Sequence, residues 1–399
     1  MRCWVVVVCV TLGVAMRAEA GSSGTAARVP TTILVDATSG EVLREQDAAA
    51  QRPAGSLNQL MVLLLSLEEG RLGAIAPDTP VTISAGATDG GGAASQASRA
   101  AARAAAACNN GGGNRIPVSA GKAYALSDLL KAMVIGSANE AAIAAAQAVA
   151  GAVADCLELM NARAGSLGME ATHYASVGGM RPATATGCDT TSAHDVARLA
   201  QAVLRDARVL QWASLGGLPF DGGSILLRNI NQLIGTIRGV DGLHVSSSPP
   251  AWHRPGSFSI VATAQRGALR LIAVVLDAPT SAVRYSTAAE LLEWGFAQYE
   301  RLEIVKKGEP VNVSIDVSSG SVAQLTPVAG QSFSLLRRRS EERDLQVRYQ
   351  VPAVLSAPVK WHEEIGEIII EGDGQLLAVM PVLSPETVER IGILSAGLP

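Results

Sequence analysis

The apolar positions of this chain change period along its length, and each change marks an element. Thr31 to Asp36 alternates as a strand does, Ala37-Thr38-Ser39-Gly40 supplies turn residues, and Glu41 to Arg44 begins a return strand, which together predict a hairpin. Leu57 to Leu67 is apolar on nearly every face and stops at Gly70, the pattern of a helix buried inside a domain. Ser56 stands where the cap of that helix belongs. Ser127 likewise caps an apolar segment toward Val134, Ser137-Ala138-Asn139 breaks it, and Glu140 to Ala150 resumes it. A polar tripeptide between two apolar helices is a good place for site residues. Ser192 to Leu204 reads as a helix. Phe258 to Thr263 and Leu269 to Leu276 read as adjacent strands, and Ala282 to Gln298 as a long amphipathic helix. This order predicts a mostly antiparallel sheet sandwiched by helices.

After Arg301 the texture changes. Short strand-like segments, Val311 to Val317, Leu345 to Tyr349 and Glu367 to Ile370, are separated by Gly, Pro and Ser, which predicts a small all-β domain. The expected organisation is a leader over residues 1–20, an α/β domain over 29–299, a β domain over 301–385 and a tail over 386–399. Within the first domain, residues 88–115 form a Gly/Ala-rich insertion. A short mobile helix or lid and an insertion without a role both fit it.

Composition narrows the function classes. Hydrophobic residues make up 48% of 399 positions, enough for two folded domains, and a net charge of −4 gives no footprint for nucleic acid. Aromatic residues are only 4%, so sugar-stacking platforms are scarce and the core is aliphatic. Arg2, the apolar run from Trp4 to Met16 and Ala18-Glu19-Ala20 have the form of an export leader cut after Ala20, which predicts a secreted or periplasmic protein. The run is shorter than the roughly 20 residues that a span requires. Removing the leader takes Cys3 and Cys9 away and leaves Cys108, Cys156 and Cys188, which allow one disulfide at most. Cys156 lies in an apolar helical pattern and reads as core. The cysteine spacings suggest no metal site, and no cofactor is expected. Glu386 to Pro399 is short, carries Gly392 and Gly397 and has few basic residues, so membrane association is expected to be weak at most.

Several segments in fixed order carry a resemblance. They are Ile33-Leu34-Val35-Asp36 with Ser39-Gly40, Ser56-Leu57-Asn58-Gln59-Leu60-Met61, and Ser127-Asp128-Leu129-Leu130 leading to Ser137-Ala138-Asn139-Glu140-Ala141. Val240-Asp241-Gly242 and Arg270-Leu271-Ile272-Ala273-Val274-Val275-Leu276 follow. From Thr31 to Val388 the chain resembles the low-molecular-mass penicillin-binding proteins, the serine-type D-Ala-D-Ala carboxypeptidases of the cell wall. The resemblance implies an α/β fold of the penicillin-binding-protein/β-lactamase type, with an antiparallel sheet between helices and a C-terminal β domain for spacing or interaction. It also implies a peptidoglycan stem peptide as ligand and a β-lactam as a further one.

In that family a serine nucleophile, a lysine three residues on, a Ser-x-Asn loop and a Lys-Thr-Gly strand converge. The resemblance places the nucleophile at Ser56, and one helical turn puts position 59 on the same face. Position 59 is Gln59, whose amide positions a hydroxyl but takes no proton from it. Ser137 and Asn139 match the second element, in which the serine relays a proton and the asparagine holds the substrate amide. In the third, the lysine falls at His244, the threonine at Val245 and the glycine at Ser246. A neutral histidine and a valine without a hydroxyl predict weak carboxylate binding, which Ser246, Ser247 and Ser248 partly offset. Ser119-Ala120-Gly121-Lys122 also fits Ser-x-x-Lys, but Gly121 and the following cap make it a loop.

Two functions follow from this reading. One is a catalytically impaired family member that acts on or binds stem peptides through a preserved scaffold, both motif lysines being missing. The other is a working carboxypeptidase with a rewired base, His244, whose activity rises near pH 6 to 7. His244 as a structural remnant, and Ser56 as a plain helix cap, are the simpler alternatives. A β-lactamase is disfavoured, because no deacylating carboxylate stands in a recognisable motif.

Overall fold

The computed structural model describes residues 29–88, 116, 118–179, 189–248 and 257–391. The leader, nearly all of the Gly/Ala-rich insertion, Cys108, Cys188 and the end of the tail lie outside the described residues.

The alternation read from Thr31 becomes the strand Thr31–Asp36, every residue of which is buried, turning back into Val42–Gln46. It sits inside a five-stranded antiparallel sheet in the order Val42–Gln46, Thr31–Asp36, Leu269–Ala278, Ser257–Arg266, Val240–Ser248. Strand period two splits the sheet's side chains between two cores. Ile33, Val261 and Val274 pack on the side of the helix Gln59–Arg71. Leu34, Ile260, Ala273 and Val275 pack on the side of the helix Ser281–Gln298. Val240–Ser248 is an edge strand, so one row of its backbone groups is not spent on a neighbour.

The apolar run after Ser56 is the helix Gln59–Arg71, buried from Gln59 to Leu67 as its sequence demands. Ser56 is not its cap: the residue lies within a 3-10 turn, Gly55–Asn58, and makes no capping bond. Ser127 is not a cap either, because the next helix, Leu126–Gly136, already begins one residue before it, after Ala125 in extended conformation. Side-chain caps do hold at Ser192, which accepts from Asp195 N–H at 3.1 Å, and at Thr280, which accepts from Val283 N–H at 3.1 Å. The break at Ser137-Ala138 is as expected. Ser137 takes a left-handed conformation (φ 51°, ψ 44°), which turns the chain from Leu126–Gly136 into Asn139–Ala150.

From Tyr299 onward every described element is a strand. Gln375–Leu383, Glu364–Gly372, Leu345–Gln350 and Val328–Ala329 form one sheet over a core of Ile315, Ile368, Ile370 and Val382. The two halves of the chain are joined by a buried ion pair. Arg301 donates to Asp36 Oδ2 at 2.5 Å, and the same oxygen accepts from Ser39 N–H and Ser39 Oγ–H in the first hairpin.

Among the described residues, no single helix is long and apolar enough to cross a membrane. Cys156 is fully buried, and desolvation pushes its thiol up to about 11, which suits a core residue rather than a reactive one.

Candidate active site

Ser56 is half-buried, at the point where the chain enters the core helix, and it faces the edge strand. Its amide donates to Ser246 Oγ at 2.9 Å, and its hydroxyl lies 3.5 Å from the carbonyl oxygen of Val245. A tight crossing fixes this turn. A Cβ on Gly179 (φ +72°) would stand 1.8 Å from the carbonyl oxygen of Gly55, and one on Gly178 would stand 2.9 Å from Asn139 Oδ1. Only glycine lets the 178–179 backbone lie across both the Ser56 turn and the Asn139 side chain. Asp189 holds the segment leading there, accepting from Ala175 N–H, Ser176 N–H and Asn58 Nδ2.

Behind Ser56, Gln59 is 1% exposed and its Nε2 donates to Asn139 Oδ1 at 2.8 Å and to the Ser137 carbonyl at 3.3 Å. The amide therefore ties the start of the helix Gln59–Arg71, just after the Ser56 turn, to the Ser137-Ala138-Asn139 turn. Its Oε1 is buried without a hydrogen-bond partner. An amide oxygen accepts a hydrogen bond but does not take up a proton near neutral pH, so this position orients its neighbours without serving as a base.

His244 is 2% exposed, and its Nε2 lies 3.3 Å from Ser137 Oγ. Burial lowers its pKa from 6.5 to about 4, a shift opposed by hydrogen bonding to the Ser56 backbone. At neutral pH the ring is uncharged and brings no cation to the site. His244 pairs across the sheet with Val261 and Val245 with Ile260, so their side chains point to opposite faces. Val245 is packed among the residues under Ser281–Gln298; what it presents to Ser56 is its carbonyl oxygen. Ser246 faces Ser56, whereas the Ser247 hydroxyl turns away and accepts from Arg284. The side chain of Ser248 lies outside the described residues. Of the sequence-predicted positions, the fold thus brings Ser56, Gln59, Ser137, Asn139, His244 and Ser246 together by side chain, and Val245 by backbone alone.

Sequence reasoning missed Arg284. It is 4% exposed and lies behind the edge strand, donating to the Ser246 carbonyl at 2.8 Å, Ser247 Oγ at 3.0 Å and Ser281 Oγ at 2.9 Å. Its guanidinium also lies 4.3 Å from the ring centroid of Tyr285, and desolvation draws its pKa down. The available signal was its place on the buried stripe with Ala288, Leu291 and Gly295, where a charged side chain needs a partner. The lysines of the chain are Lys122, Lys131, Lys306, Lys307 and Lys360. Lys122 pairs with Asp221 at 2.5 Å, Lys131 pairs with Asp128 at 2.8 Å, and the others belong to the β domain. None takes the place of the base beside Ser56.

Comparison with known proteins matches this arrangement. The description "D-alanyl-D-alanine carboxypeptidase" fits residues 18–280, and "Penicillin-binding protein 5, C-terminal domain" fits residues 299–390. The chain is 25% identical over 370 residues to D-alanyl-D-alanine carboxypeptidase DacF of Bacillus subtilis, covering 91% of this chain and 86% of that protein. It is 28% identical over 362 residues to DacC of Escherichia coli, covering 90% and 84%. Its fold is similar to penicillin binding protein 5 from Haemophilus influenzae (TM-score 0.62, 22% identity, covering 90% of this chain and 97% of that one). It is also similar to penicillin-binding protein D2 from Listeria monocytogenes in an ampicillin-bound form (TM-score 0.52, 26% identity, covering 67% and 96%). With the family match spanning most of the chain and the Ser56, Ser137-Ala138-Asn139 and edge-strand elements converging as they do, the protein belongs to the D-alanyl-D-alanine carboxypeptidase family of low-molecular-mass penicillin-binding proteins.

Proposed function

We propose that this protein is an exported, catalytically impaired carboxypeptidase homologue that binds peptidoglycan stem peptides at the cell wall. The observation that carries the reading is the Gln59 amide, buried one helical turn from Ser56 and engaged with Asn139 and Ser137 where a proton acceptor is required. Losing the base of such a unit lowers turnover by about 10⁴- to 10⁶-fold in comparable serine chemistry. The groove nevertheless retains what a peptide ligand uses. An edge strand offers backbone donors and acceptors for a further strand, and the Arg284 cation lies beneath it to favour an acid terminus. Its relative from Listeria monocytogenes is known in ampicillin-bound form, which supports a β-lactam as a second ligand of this groove.

Incubation with a labelled penicillin, followed by intact-mass measurement, tests the reading. The expected result is little or no adduct at Ser56, alongside saturable binding of a D-Ala-D-Ala-terminated pentapeptide in a separate calorimetric titration; rapid stoichiometric acylation of Ser56 overturns it. The rewired-base alternative places His244 in the catalytic role, but its ring nitrogen lies against Ser137 Oγ and its pKa is near 4. It now predicts D-alanine release that switches on at about pH 4 rather than near 6 to 7, and absence of release across about pH 4 to 9 removes it.

A further inference from the structure

Acyl transfer to a serine needs more than a base. As the Oγ–C bond forms, the carbonyl π pair moves onto oxygen, and that oxyanion is stabilised by N–H donors at about 2.7–3.1 Å. The amide of the nucleophilic residue is well placed to be one donor, since its N–H and Oγ hang from the same Cα. In this chain that amide is already occupied. Ser56 N–H donates to Ser246 Oγ at 2.9 Å, and Ser246 is 3% exposed.

The edge strand supplies the second half of the geometry. Val245 turns its carbonyl toward Ser56, and in an antiparallel strand backbone groups two residues apart face the same edge, so the Ser247 amide faces the groove as well. Two amides, of Ser56 and Ser247, therefore face the same side of the edge strand, and the Ser246 hydroxyl stands on the first. Arg284 anchors the strand that carries this hydroxyl from behind, binding the Ser246 carbonyl at 2.8 Å and Ser247 Oγ at 3.0 Å.

We propose that Ser246 is a built-in plug of the oxyanion pocket, its hydroxyl standing where the carbonyl oxygen of a bound ligand would sit. The inference rests on the binder reading and deepens it: a stem peptide or β-lactam docks along the edge strand, but its carbonyl is denied the Ser56 amide. Ser246 thus specifies binding without acyl transfer, independently of the missing base.

Two measurements on the full chain test this. The first uses a boronic acid analogue of an N-acyl-D-alanine. Its boron accepts the Ser56 oxygen while the hydroxyl proton passes to solvent, leaving a boron-bound oxygen at the amide. Ser246→Gly is expected to tighten its Kd at least about 10-fold relative to wild type, as one charge-assisted hydrogen bond is gained. The second measures labelled-penicillin acylation in a background with Gln59→Lys and His244→Lys. There, adding Ser246→Gly is expected to raise the rate about 10²-fold, the scale of one oxyanion donor. Ser246→Ala removes the hydroxyl while retaining Cβ, and should give the same direction if the glycine variant fails to fold. Boronate affinity and acylation rate that are indifferent to the Ser246 hydroxyl overturn the plug and leave the binder reading standing. Rapid acylation of the wild-type chain instead overturns the binder reading.

Discussion

His244 provides a quantitative check on the electrostatics of the groove. The folded protein keeps its imidazole neutral down to about pH 4, whereas the ordinary value is 6.5, because burial penalises the charged ring. Between those two pH values the unfolded chain binds more protons than the folded one. The stability that this residue contributes is therefore complete above pH 6.5, falls as acid carries the pH from 6.5 down through 4, and is flat below. A displacement of that size is worth about 3 kcal/mol in full, at about 1.4 kcal/mol per pH unit, and about 2 kcal/mol of it is lost by pH 5. Carboxylates also titrate in acid, so the comparison is differential: urea unfolding of wild type and of His244→Gln at about pH 8, 6.5 and 5. Glutamine keeps a polar side chain facing Ser137 but does not titrate. Wild type should lose about 2 kcal/mol more than the variant between pH 8 and 5. Parallel losses would refute the burial argument, and a histidine titrating near 6.5 would again be available as a base at neutral pH.

Two further substitutions probe how the site is held. Gly179→Ala adds a Cβ 1.8 Å from the Gly55 carbonyl at a φ of +72°. It should destabilise the fold by about 3 kcal/mol, combining overpacking with left-handed strain; an unchanged melting temperature would show that the 178–179 segment does not press on the Ser56 turn. Arg301→Ala leaves the fully buried carboxylate of Asp36 without its cation. Urea unfolding should register a loss of about 3–5 kcal/mol, and a loss below about 1 kcal/mol would mean that the ion pair does not hold the β domain to the hairpin.

The elements of the fold were legible wherever burial follows a local period. The alternation of Thr31 to Asp36, the uniformly apolar Leu57 to Leu67 and the polar break at Ser137-Ala138-Asn139 each became the expected strand, buried helix and turn. Helix starts were less legible. Ser56 and Ser127 have the composition of caps, but each lies one residue inside its element, Ser56 after Gly55 in the 3-10 turn and Ser127 after Leu126 in the helix, and sequence alone does not separate a serine at a cap from one just inside. The missing lysine at Gln59 was also plain from spacing, because one helical turn relates it to Ser56.

Other properties of the site were settled only by tertiary structure. The neutrality of His244, the contact of Ser246 with the Ser56 amide, the inward turn of Val245 and the anchoring of the edge strand by Arg284 all depend on segments far apart in sequence. A side-chain period is set by each residue's own backbone and its near neighbours, so it is written locally. A proton affinity or a hydrogen-bond partner is set by whatever the fold packs within a few ångströms. For this protein the sequence determined which groups are present, and the tertiary structure decided what each of them faces.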